Sequence, residues 1–229
     1  MSKRNAWVRP ELWYRAWKVT SALAKYPAYA PPHLHNEIGL SPDEARENFD
    51  YFLERRAFRL QVLSEFMRKF GIDATTNDSG LAAVSNWFDR YAGLLLTFRP
   101  RTSTTFLAFL DHEPPWTGEH IGINAVWDLG IYVGECIIAR RPSAHWELDT
   151  GGPDPVSCEA VGYQRPCVAG LYWPTECDPI TQIFMDANYM CARMRIGQGT
   201  FFLRGKLMQH VVVWSRPNAA NPSLEKRTY

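Results

Sequence analysis

The run HLHNE places His33, His35 and Glu37 at alternate positions. On an extended strand, alternate side chains point to one face, so two imidazoles and a carboxylate would converge as metal ligands do. The surrounding YPAYAPPHLHNEIGLSP speaks against a strand, because its prolines make it a loop or arm. No second ligand cluster is evident in the sequence to complete a coordination sphere, so the reading is that no metal is held. Asp111, His112 and Glu113 in DHEPPW are consecutive, and consecutive residues on an extended chain point opposite ways, as in a solvated turn. No GxSxG elbow marks a serine nucleophile, and GQGTFF lacks the third glycine and preceding strand of a dinucleotide fingerprint. The sequence nominates no catalytic residue and no cofactor. An enzyme would have to assemble its site in three dimensions, from residues such as His33, His35, His112, Glu113 and His145.

The best candidate for recognition is DLGIYVGECIIARRPSAHWELD, residues 128–149. The pattern predicts a helix from about Ile123 to Arg140, stopped by Pro142. At ~100° per residue, Ile123, Val126, Trp127, Gly130, Ile131, Val133, Gly134, Ile137 and Ile138 share one broad face, which is expected to be buried. Gly130 and Gly134 lie one turn apart on it. Because a mid-helix glycine costs about 1 kcal/mol relative to alanine, another element is predicted to cross there at short distance. Opposite lie Asp128, Tyr132 and Glu135, a narrow polar stripe that reads as a solvated face, with Ala139 where a cation would pair with Glu135. Arg140 and Arg141 fall where they complement the negative end of the helix dipole. Beyond Pro142, Ala144, Trp146 and Leu148 alternate with His145, Glu147 and Asp149, a strand with the first set turned inward. The candidate partner-binding residues are therefore Asp128, Tyr132, Glu135, His145 and Glu147.

Other elements must hold this segment in place. RPELWYRAWKVTSALAKY has Pro10 in a first turn and Leu12, Trp13, Ala16, Val19 and Leu23 at helical spacing, an amphipathic helix. Its Trp7, Trp13, Tyr14 and Trp17, interleaved with Lys3, Arg4, Arg9, Arg15 and Lys18, have the composition of a stacking platform for single-stranded nucleic acid. The favoured reading puts the rings in the core and leaves the cations wet. Ser41, Pro42 and Glu44 form a capping box for a helix that ends at Gly71. A further helix is predicted from Asp78 or Ser79 to about Tyr91, a strand near 104–110, and a short strand in RPCVAGLYW. Asp178 and Pro179 open a helix to about Met194, and QHVVVWS reads as a late strand or a buried helix end. The expected fold is α+β, a mainly helical single domain with a small antiparallel or mixed sheet. Residues 1–40 form the helix and proline-rich arm, 41–215 the body, and 216–229 a flexible tail.

Composition narrows the function classes. A chain of 229 residues with 46% hydrophobic content can bury a sizeable core. A net charge of +1, from 25 basic and 24 acidic residues, gives no electrostatic reason to expect nucleic acid or an anionic membrane as partner. The opening MSKRNAWVRPELW has no apolar run after its charges, and stretches such as AGLLLTF are too short to span a bilayer. A soluble, cytoplasmic chain is expected, and five cysteines without a CxxC pair fit a reducing compartment. Nine tryptophans and 14% aromatic content imply rings in the core or at an interface.

WDLGIYVGECIIARRPSAHWEL and the later QRPCVAGLYWPTECDPI resemble a group of small uncharacterised bacterial proteins. That group shares a DLGxYxGE helix, a basic-proline stop and a Trp-containing strand, and the resemblance covers roughly residues 85–190. Some members are associated with the neighbourhood of toxin genes, which implies an immunity-like role with a bacterial toxin as partner. No catalytic residue comes with the resemblance. The expectation is a non-enzymatic, cytoplasmic protein-binding module that masks its partner. The alternatives are an enzyme with a dispersed His/Glu site, or a self-associating component that grips a second copy with its N-terminal helix and arm.

Overall fold

Ser41 begins the longest helix as its sequence predicts. Its hydroxyl accepts the Glu44 N–H at 3.3 Å while the Glu44 carboxylate accepts the Ser41 N–H at 2.8 Å, so two orphan donors of the first turn are satisfied reciprocally. The computed structural model describes residues 10–35, 39–96, 112–151, 163–172, 176–195 and 204–217. Among these are six α-helices: α1 (Pro10–Leu23), α2 (Pro42–Arg68), α3 (Asp78–Leu95), α4 (Ile121–Arg140), α5 (Pro179–Arg195) and α6 (Lys206–Trp214). Strands β1 (His145–Leu148), β2 (Pro166–Ala169) and β3 (Glu176–Cys177) form one antiparallel sheet in that order. The register pairs Trp146 with Val168, and Val168 with Cys177. The architecture is mainly helical α+β. The strand expected near 104–110 lies outside the described residues, as do Lys3, Arg4, Trp7, Arg9, Glu37, Asp111 and most of the C-terminal tail.

The central element is α4, which packs against α2, α3, α5 and α6. Nearly every residue from Gly122 to Ile137 is buried, so the helix has no solvated side along this stretch. The stretch Gly118–Arg140 is long and apolar enough, by length and composition alone, to cross a membrane. The expectation that every apolar run is too short for that fails here, although most of this helix is buried inside the protein. Both glycines mark close approaches. A Cβ on Gly130 would stand 2.5 Å from Ile180 Cα on α5, and one on Gly134 would overlap the Trp146 indole. The Trp146 ring fills the gap that Gly134 leaves and meets Phe52 of α2 edge-on at 5.0 Å, which ties the strand after α4 back onto the helix layer.

One element takes the second of its two sequence readings, and another departs from its pattern. QHVVVWS forms the end of α6: Leu207 and Val211, one turn apart, are buried, while Val212 and Val213 face outward. The β-branched run favours a strand, but burying one side of a short helix against α3 and α4 outweighs that preference. In α1, Val19, Ala22 and Leu23 enter the core as a helical spacing requires. Trp13, Tyr14 and Trp17 do not, since they are 65%, 53% and 55% exposed.

Gly130→Ala should destabilise the protein by about 2 kcal/mol, because overpacking against a backbone atom outweighs the gain in helix propensity. Urea unfolding checks it, and a neutral or stabilising result would show that α5 does not cross where described.

Candidate functional site

The polar stripe of α4 is the place to start, because the structure buries it. Asp128 is 0% and Tyr132 1% exposed. The solvated face expected for them does not exist, because α2 covers the side of α4 opposite the α5 contact. A carboxylate there needs partners, and it has two: Arg59 Nε donates to Oδ1 at 2.7 Å and the Tyr26 hydroxyl to Oδ2 at 2.6 Å. Arg59, itself 3% exposed, also donates from Nη1 to the Pro27 carbonyl at 2.8 Å. Its guanidinium lies 5.7 Å from the Tyr26 ring centroid. One ion pair thus joins α4 to α2 and to the segment leaving α1.

Glu135 is likewise paired across helices. Its Oε1 stands 3.1 Å from Arg56 Nε and accepts the Trp146 indole N–H at 2.7 Å. The two pairs, Arg56 with Glu135 and Arg59 with Asp128, show that α2 and α4 run antiparallel. The Tyr132 hydroxyl donates to the Thr75 carbonyl at 2.7 Å, which anchors the segment before α3. Arg140 donates to the Cys136 and Thr76 carbonyls, and so covers the end of its own helix. Arg141 donates to the Gly170 carbonyl at 2.9 Å.

His145 and Glu147 face solvent from β1, as the alternation predicts, with His145 Nε2 3.4 Å from Glu147 Oε2. The five candidate residues therefore do not form one surface. Three fasten helices together, and two stand on a strand at the end of the sheet.

Two other features lie on segments that the sequence raised only as alternatives, the N-terminal aromatic helix and the dispersed histidines. The first is the outer side of α1, where Trp13, Tyr14 and Trp17 lie together, the last two with ring centroids 5.9 Å apart. The second is a cleft of about 500 Å³, solvent at its mouth included. The arm supplies Tyr29, His33 and His35, α2 supplies Phe49, and the segment before α4 supplies His112 and Trp116. His33 Nε2 contacts Glu47 Oε2 at 2.6 Å, and the Asn48 amide brackets the His33 backbone, accepting at 3.0 Å and donating at 2.9 Å. The alternation of His33 and His35 thus does place both imidazoles at one site. Among the described residues no group of three His, Cys, Asp or Glu is arranged to hold a metal.

Among the described residues the cysteines offer no nucleophile. Cys136, Cys167, Cys177 and Cys191 are free and buried, and burial pushes the Cys136 thiol up to about 11. A buried carboxylate–imidazole contact, Asp186 to His210 at 2.7 Å, joins α5 to α6.

Arg59 could have been found in the sequence. Phe52, Arg59 and Phe66 are spaced by seven along α2 and all are buried, so a cation in an apolar stripe announces a buried acid elsewhere. The aromatic side of α1 was legible as composition but not as orientation. Compared with known protein families, curated proteins and solved structures, the chain matches none.

Two expectations follow from the buried pair. Arg59→Met should cost about 3 kcal/mol at neutral pH by leaving Asp128 buried without its cation, and adding Asp128→Asn should recover part of that. Urea unfolding of the two variants checks this, and an Arg59→Met variant as stable as the wild type would contradict it. Burial also pushes the Asp128 carboxyl up to about 6, against the pull of Arg59 and of the hydrogen bonds from Arg59 and Tyr26. The folded chain then holds this proton more tightly than the unfolded chain, so the contribution of Asp128 to stability grows as pH falls from about 6 to about 4 and is lost as pH rises through that window. Relative to Asp128→Asn, the wild type should gain about 2 kcal/mol between pH 7 and pH 4. A difference that stays flat with pH would contradict the assignment.

Proposed function

We propose that the protein is a cytoplasmic, non-enzymatic binding module that masks another protein, and that it does so with the outer face of α1. The observation that carries this reading is the exposure of Trp13, Tyr14 and Trp17, each more than half open to solvent on one side of one helix. Large rings left in water represent apolar area whose burial by a partner is favourable. Trp and Tyr are also the residue types that dominate measured binding energies at interfaces. Arg15 on this helix is paired with Glu11, and Lys18 lies over the Phe70 ring, so the rings and not charge carry the reading. The resemblance of roughly residues 85–190 to small uncharacterised bacterial proteins, some of them near toxin genes, suggests a bacterial toxin as that partner. The recognition face moves from α4, where the acids are consumed by α2, to α1.

A second reading, an enzyme whose groups meet only in the folded chain, is favoured by a separate observation: three imidazoles line one cleft. It ranks second because no serine, threonine, cysteine or carboxylate lines that cleft among the described residues.

The Trp13→Ala, Trp17→Ala double variant tests the first reading. It should unfold within about 0.5 kcal/mol of the wild type, because both side chains are exposed. Its affinity for the protein that copurifies from the native host, measured with the purified pair, should fall by about tenfold or more. Undiminished affinity would contradict the reading, and a wild-type dimer that the variant abolishes would favour self-association.

A further inference from the structure

The arm that follows α1 runs from Tyr26 to His35 without helix or strand. Its backbone is held by side chains of the body, in order along the chain. Arg59 of α2 donates to the Pro27 carbonyl at 2.8 Å, and Asn124 of α4 accepts the Tyr29 N–H at 2.7 Å. Asn48 of α2 accepts the His33 N–H at 3.0 Å and donates to the His33 carbonyl at 2.9 Å. Bonds to main-chain groups grip an extended segment whatever side chains it carries, so the choice of segment falls to the pockets between them.

Those pockets take rings. Tyr26 is buried, meets Phe66 edge-on at 5.3 Å and donates its hydroxyl to Asp128 at 2.6 Å. Tyr29 is buried, stacks on Trp127 at 4.7 Å and meets the Tyr51 ring at 5.7 Å. Pro31 is buried as well, while Pro27, Ala28, Ala30 and Pro32 face outward. The arm therefore inserts tyrosine, tyrosine and proline and leaves small residues or prolines between them on the surface. Its prolines keep such a segment extended before it docks, which lowers the cost of ordering it.

We propose that the seat of the arm is a peptide-recognition groove, filled in the closed chain by the protein's own arm. An extended segment of another chain with the same spacing of two tyrosines and a proline takes the arm's place. Every contact named here is made through space to α2 or α4, so a segment that is not joined to this chain makes the same contacts. The tethered arm competes at an effective concentration of about millimolar, and so acts as an autoinhibitory strap. The groove lies apart from the outer face of α1 and does not rest on the reading of that face.

The test uses the full chain with Tyr26→Ala, Tyr29→Ala, which weakens the arm and leaves the groove side chains unaltered. The probe is a synthetic peptide of residues 24–35. Calorimetry should show saturable binding, about tenfold or more tighter than to the wild type, whose own arm fills the groove. The same peptide with both tyrosines replaced by alanine should bind about tenfold more weakly. Tyr29→Ala alone is the milder variant: the peptide should raise its thermal midpoint and leave that of the wild type in place. Neither saturable binding nor a raised midpoint in these variants, equal binding by the wild type, or equal binding of the tyrosine-free peptide would overturn the proposal.

Discussion

Asp128 sits in the middle of a helix that is buried on all sides, and a carboxylate in that position has to be answered from elsewhere in the chain. Arg59 answers it from α2, and further hydrogen bonds join the Asp128 carboxylate to Tyr26 and Arg59 Nη1 to the Pro27 carbonyl, while Arg59 Nη2 is buried without a hydrogen-bond partner. The interaction fixes how α2 lies along α4 and where the chain goes after α1. From there Tyr29 stacks on Trp127, and His33 is held on α2 by Glu47 and Asn48. Both faces of interest depend on it, because the arm forms one wall of the cleft and α1 hangs from the other end of the same segment. Ion pairs of this kind add little net stability over an apolar core, but removing one partner leaves the other as an uncompensated buried charge.

What local chemistry decides was legible in the sequence. The Ser41 and Glu44 capping box is complete within four residues, and the helix starts where it says. Gly130 and Gly134 announce a close approach through their own cost, and Ile180 and Trp146 supply it. The alternation in AHWELD sends Trp146 and Leu148 inward and His145 and Glu147 outward. Each of these signals lies within a turn or two of chain.

What failed depended on partners far away in sequence. A helical wheel gives the angular position of Asp128, Tyr132 and Glu135 but not whether a second layer covers that side. The partner that does so stands 69 residues from Asp128. The same ambiguity affects α1, whose wheel carries an aromatic arc at Trp13, Tyr14 and Trp17 and an aliphatic arc at Val19, Ala22 and Leu23. Burying the larger rings looks favourable residue by residue, yet the packing selects the smaller aliphatic side. His33, His35 and His112 likewise meet only once the arm folds back, so alternate spacing identified two of the three and nothing local identified the third.

The functional reading turns on this division between fastenings and open groups. Acids on α4 are consumed by α2, the described cysteines are buried thiols, and the described residues offer no nucleophile at the cleft, which leaves the aromatic face of α1 as the open place proposed to meet a partner. The most direct test of that division is a carbon-13 NMR titration of the Asp128 side-chain carboxyl. The account predicts a midpoint raised to about 6. A midpoint near 4, that of an ordinary solvated aspartate, would put the α4 stripe back on the surface and contradict it.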